Sequence, residues 1–156
     1  MDRISAMWNF YSLGLHPLVR TAQAAAAGLC LACSSQSPTE KLLDTAQTAS
    51  SWIATLRMTG EQWAANSVPT SFVENTVKAA RSELETEADD AAKSQAPAGV
   101  RDPFRRIVTE AKDVGKRLSQ AAEENDRAGA AREVGRLAAL QEQLAALRKQ
   151  NGGEAQ

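Results

Sequence analysis

An antiparallel bundle of about four α-helices is the fold this sequence predicts. Three observations predict it. Apolar residues recur at alternating steps of four and three along four separate stretches, which puts each set on one face of a helix. No stretch alternates apolar and polar residues over the length of a strand. The breaks between stretches carry Pro, Gly or Asn and are short, so consecutive helices become antiparallel neighbours. A chain of 156 residues fits one domain.

Before the first helix lies a segment of different character. Ala24 to Ala32 is an apolar run of about nine residues, within the roughly 7–15 of a signal peptide's apolar core. It falls short of the roughly 20 needed to cross a bilayer. Arg20 supplies a positive charge before the run, Ala32 a small residue at its end, and Cys33 a thiol directly after it. The run resembles the signal peptide of bacterial lipoproteins, whose junction usually reads Leu, a small residue, Gly or Ala, then Cys. Here the four residues are Cys30, Leu31, Ala32 and Cys33. Ala32 and Cys33 fit the pattern. Cys30 stands where Leu is usual, Leu31 is larger than usual, and Leu29 is one place early. The resemblance covers only the first fifth of the chain.

The resemblance implies that residues 1–32 are removed and that Cys33 becomes the lipid-bearing first residue, diacylated and often N-acylated. Ser34 is not the Asp that commonly signals inner-membrane retention in lipoproteins. In a cell with two membranes the outer one, facing the periplasm, is therefore the expected address. Met1 to Val19 is long for a basic leader and contains Trp8, Phe10, Tyr11 and Pro17. A true start near residues 18–19 explains this, with Arg20 then close to the N-terminus. The alternative is an ordinary amphipathic N-terminal helix with two buried thiols, since free Cys is often a small core residue. The chain is then a cytosolic helical interaction protein without a lipid anchor.

Removal of residues 1–32 changes the chemistry that remains. It takes away the only His, His16, the only Tyr, Tyr11, and one of two Cys, Cys30. Without Arg3, Arg20 and Asp2, the 18 basic and 19 acidic residues become 16 and 18. A net charge near −2 argues against nucleic-acid binding, which needs a basic footprint. With Cys33 acylated there is no disulfide, no Cys nucleophile, no Ser-His pair and no imidazole metal site. No cofactor and no metal site are expected, and a non-enzymatic role is. An enzyme working with carboxylates alone would need two acidic residues in one concave pocket.

Residues 33–37 are anchor and linker, residues 38–150 the bundle, and 151–156 a frayed tail. Four residues lie between Cys33 and Pro38 and reach roughly 14 Å when extended. Ser37-Pro38-Thr39-Glu40 is a capping box with proline at the first helical position. Leu42, Ala46, Ala49, Ile53, Leu56, Gly60 and Trp63 form the first seam, to about Asn66. Gly60 permits close backbone approach or marks a kink; resumption of the pattern in phase at Trp63 favours close approach.

Pro69 ends that helix and opens the second near Pro69 or Thr70. Its seam is Val73, Val77, Ala80, Leu84 and Ala91, with Ala88 beside it, Phe72 on the flank and an end near Lys93. Residues 94–100 read as a loop. Asp102-Pro103 repeats the start signal, cap then proline. Phe104, Ile107, Ala111, Val114, Leu118 and Ala121 form the third seam, with Val108 alongside. A turn is expected over residues 125–129; without it, the last two helices fuse into one rod. Ala130, Val134, Leu137, Leu140, Leu144 and Leu147 form the fourth seam, ended by Gly152-Gly153. Seams so rich in Ala bury little area each, so a protein partner or self-association is expected to add stability.

Surface residues offer few sites. Leu43, Trp52 and Met58 lie off the first seam and are the expected partner contacts, since aromatic and Met side chains are common interface anchors. Glu83, Glu85, Glu87, Asp89 and Asp90 are the densest charge cluster. They alternate along the helix, so a solvated face is expected rather than a cation cage. Arg101, Arg105, Arg106, Lys112, Lys116 and Arg117 interleave with Asp102, Glu110 and Asp113, as in a salt-bridged face. Anionic lipid headgroups are the sharper alternative for this basic set. The function expected is binding or scaffolding in a bacterial cell envelope, with the membrane reached through acyl chains on Cys33.

Overall fold

Ser37 starts the bundle as its sequence dictates. Its hydroxyl accepts from the Glu40 amide, and the Glu40 carboxylate accepts from the Ser37 amide at 2.6 Å. Two of the amides that open the helix are thereby satisfied. The computed structural model describes residues 36–152. Four helices follow: α1 (Pro38–Ala64), α2 (Thr70–Lys93), α3 (Ala98–Glu123) and α4 (Arg127–Gly152). There is no strand among the described residues. The expected signal segment, Cys33 and most of the expected frayed tail lie outside the described residues.

The seams become the core. Every expected seam residue of α1, α2 and α3 is buried, and Phe104, Ile53 and Leu56 are the largest of the fully buried side chains. On α4 one position differs. Val134 is only partly buried, whereas Glu133 beside it is 7% exposed. Each helix adjoins the next, α4 returns to α1, and α1 also meets α3 across the diagonal, while α2 and α4 do not meet. Two glycines allow that pinch. A Cβ on Gly60 would lie 2.6 Å from Val134 Cγ2 and 3.1 Å from Leu118. One on Gly115 would lie 3.3 Å from Leu56. Gly60 is thus a close-packing position in a continuous helix, not a kink.

Two turns share one end of the bundle and are built alike. Asn66 and Asn125 both take left-handed backbone, with φ 59° and 55°. After α1, the Asn66 amide donates to Trp63 and the Ser67 amide to Gln62. After α3, the Asn125 amide donates to Ala122 and the Asp126 amide to Ala121. Both are Schellman closures with Asn at the left-handed position, which satisfies the last carbonyls of each helix. Asp126 then caps α4, its carboxylate accepting from the Gly129 amide at 2.8 Å. The expected turn at 125–129 is therefore real but shorter. Helices α3 and α4 are separate, and no long rod forms.

One expected start is wrong. Asp102-Pro103 does not open the third helix; α3 begins at Ala98, with Pro103 inside it. Burial overrides the local signal. Ala96 and Val100 are core residues, so the chain turns into helix early enough to point Val100 inward. The Pro97 carbonyl accepts from the Val100 and Arg101 amides at 2.9 and 3.0 Å. Pro103 lies in the second turn of α3, where it cannot donate to the Gly99 carbonyl.

Candidate functional site

Leu43, Trp52 and Met58 do not form one patch. Trp52 follows Leu43 by nine residues, which turns it about 180° round the helix. Trp52 packs against the core. Leu43 is half-buried, with Cδ1 3.8 Å from where a side chain on Gly152 would begin. Met58 alone stands out, at 51% exposed. The other large exposed apolar residue is Phe72, at 47%, on a different helix.

Among the described residues two of the seven ion pairs link helices, and the rest lie within one helix or at its cap. Lys112 of α3 pairs with Glu85 of α2. Arg117 of α3 donates to Glu133 of α4 at 2.9 Å, and Arg136 reaches the same carboxylate at 3.2 Å. This explains how Glu133 is buried: two guanidinium groups replace its hydration. Of the acids interleaved in α3, only Asp102 takes a basic neighbour, Arg101, at 3.0 Å. The expected pairing along α3 is thus largely replaced by pairing across helices. The pairing of Glu133 with Arg136 has helical spacing in the sequence, but its burial and its bond to Arg117 of α3 had no sequence signal.

The acidic run divides into unlike parts. Glu85 is neutralised by Lys112, and Asp90 lies 3.9 Å from Lys93. Glu83, Glu87 and Asp90 recur at steps of four and three and so share one side of α2, which corrects the expectation that the run does not converge. The Glu87 pKa is raised above 4.5, by burial first and then by the charges of Asp90 and Glu83. No grouping of three or more His, Cys, Asp or Glu suited to a metal occurs among the described residues.

At the turn end, Arg127 ties three helices together. Its guanidinium lies over the Trp63 ring, 5.3 Å from the centroid. It donates to the Ala64 carbonyl at 2.6 Å and to the Asn66 side chain. Trp63 Nε1 donates to Thr70 Oγ1 at 3.1 Å. These contacts close the turn end of the bundle.

An open groove of about 500 Å³ lies between α2 and α3, lined among others by Glu74, Lys78, Arg81, Lys116, Ser119 and Glu123. Only Val77 gives it an apolar wall. Acidic residues do share it, but they are exposed. General acid chemistry by a carboxylate at neutral pH relies on burial or a close like charge to hold the proton. No helix among the described residues is long and apolar enough to cross a membrane. No protein-family model, curated protein or solved structure matches this chain.

Proposed function

We propose that this chain is a lipid-anchored protein of the bacterial cell envelope with a non-catalytic binding or scaffolding role. One observation carries the proposal: an apolar run of signal-peptide length ends in Ala32-Cys33, and a capped helix starts five residues later. Cys33 bears the acyl chains, and two or more chains hold a protein stably where one does not. The linker reaches roughly 14 Å, so the bundle works close to the membrane, at the periplasmic face of the outer membrane in a cell with two membranes. The non-catalytic part rests on chemistry. The chain after residue 32 has no His and no thiol besides Cys33, and its charged groups on the bundle are mostly exposed or spent in pairs between helices.

Cys33→Ser tests the anchor in cells. The unchanged chain is expected in the membrane pellet and, after detergent phase separation, in the detergent phase. The variant is expected in the aqueous phase with its leader uncut. Equal partitioning of the two chains into the aqueous phase would overturn the proposal and favour a cytosolic helical protein.

A further inference from the structure

One side of the bundle is nearly free of charge. Residues 45–73 hold two charged side chains, Arg57 and Glu61, in a chain that is 24% charged. Those two pair with each other at 3.7 Å. Arg57 comes three residues before Gly60, which lies against Val134 of α4, so the pair sits on the α4 side of α1. Ser51, Thr55, Met58 and Gln62 recur at steps of four, three and four and are all exposed. They form a second stripe on α1, turned away from the core.

Phe72, Thr76 and Ala79 recur at the same spacing on α2. The α2 residues that line the groove to α3, Glu74, Lys78 and Arg81, occupy the other flank, so the Phe72 stripe lies on the α1 side. The Trp63–Thr70 bond sets the level of the two antiparallel helices, and Lys41 and Asp90 meet in one groove at their other ends. Residues 72–79 of α2 thus run past residues 54–61 of α1 in reverse, and the two stripes form one face. Met58 and Phe72, the two large exposed apolar residues of the described bundle, both belong to it. Interface cores are depleted of charge and enriched in Met and aromatic residues. The hydroxyls of the face are also bonded already: Ser51 donates to the Gln47 carbonyl at 3.1 Å and Thr55 to the Ser51 carbonyl at 2.9 Å. Covering them leaves neither donor without an acceptor.

We propose that this α1–α2 face is where a second copy of the chain docks. The absence of charge selects the occupant. A two-fold contact sets a surface against itself, so a charge near the axis faces its own copy. The α2–α3 groove, with exposed Glu74, Lys78 and Arg81, incurs that repulsion. So does the α3–α4 side, where Arg117 and Arg136 share the one carboxylate of Glu133. The α1–α2 face does not, and Glu83 and the Arg57–Glu61 pair give it a charged rim. The face measures roughly 16 Å along the helices and 20 Å across them. That is below the roughly 800 Å² that each partner covers in a standard stable complex. The dimer is therefore weak, with a dissociation constant on the order of 100 µM. The inference deepens the binding role proposed above and needs no lipid at Cys33.

The test is sedimentation of the full chain carrying Cys30→Ser and Cys33→Ser, which removes acylation and disulfides, from about 10 µM to about 1 mM. The average mass is expected to rise from one chain toward two across that range. Met58→Lys and Phe72→Lys each place like charges in the two-fold contact and are each expected to weaken association about tenfold. Gln143→Lys, exposed on α4, is expected to leave association unchanged. All three sites are exposed, so the variants are expected to melt near the temperature of the unchanged chain. A chain that stays monomeric across the range would overturn the proposal and leave the face to a different protein. Association unchanged by Met58→Lys and Phe72→Lys, or weakened as much by Gln143→Lys, would also overturn it, since the contact would lie elsewhere. Membrane partitioning of Cys33→Ser reads the lipid anchor separately, so failure of one proposal is distinguishable from failure of the other.

Discussion

Gly60 shows how one missing side chain sets the width of the bundle. Its nearest neighbour is a methyl of Val134, and β-branched side chains have little χ1 freedom to move aside in a helix. Gly60→Ala gains up to about 1 kcal/mol of helix propensity and incurs overpacking of about 1–3 kcal/mol. A net loss of about 1 kcal/mol is expected in urea unfolding. Val134→Ala in the same chain removes the obstructing methyl, so the double variant should recover most of the loss attributed to overpacking. Non-additivity of this size is what contacting residues produce.

Glu87 makes a residue-scale prediction about pH. Its folded-state pKa lies above the unfolded one, so between the two values the native state binds the extra proton. Stability from this group is therefore greatest at acid pH and falls as pH rises from about 4.5 through the folded value. Glu87→Gln removes the effect. The variant should be more stable at pH 7 by about 0.5 kcal/mol or less, because the group is largely solvated. Its melting temperature should differ from that of the unchanged chain at pH 7 and converge with it at pH 4. A gap that widens on acidification would contradict the assignment.

At the scale of elements, the twin turns decide where helices stop. Asn66 and Asn125 hold left-handed backbone that costs an ordinary L-residue roughly 1–2 kcal/mol. Asn66→Ala and Asn125→Ala should each destabilise by about 1 kcal/mol. The glycine replacement at residue 125 should be close to neutral. At residue 66 glycine should recover less, because Asn66 also accepts from Arg127. Thermal melts of the four variants separate backbone strain from that side-chain bond.

These elements also mark what the sequence could and could not convey. The seams were legible because a step of three or four residues by itself defines a helix face. Ser37-Pro38-Thr39-Glu40 was legible because a capping box is complete within four residues. Asp102-Pro103 misled for the same reason: it is a complete local signal, overruled by burial of Val100 against residues far along the chain. The buried Glu133 and the pinch at Gly115 were not legible. Each depends on the register between two helices, which no single stretch encodes. The flanking positions Leu43, Trp52 and Met58 were legible as off-seam, but their divergence around α1 follows only when each is placed on the helix surface.

At the scale of the whole molecule, the chain joins two parts with different chemistry. Residues 1–32 carry Trp8, Phe10, Tyr11 and the apolar run Ala24 to Ala32, while the bundle carries nearly all the charge. The antiparallel order puts the start of α1, the end of α2 and the start of α3 at one end, and both Asn turns at the other. On the proposed lipid anchor, the tether joins the bundle at the first of these ends, where α1 begins.

Everything about location depends on the fate of Cys33. The most direct measurement is the intact mass of the N-terminal peptide from the chain made in a bacterial host. The proposal predicts a peptide that begins at Cys33 and carries the added mass of its acyl chains. A peptide that begins at Met1, with free thiols at Cys30 and Cys33, would contradict it.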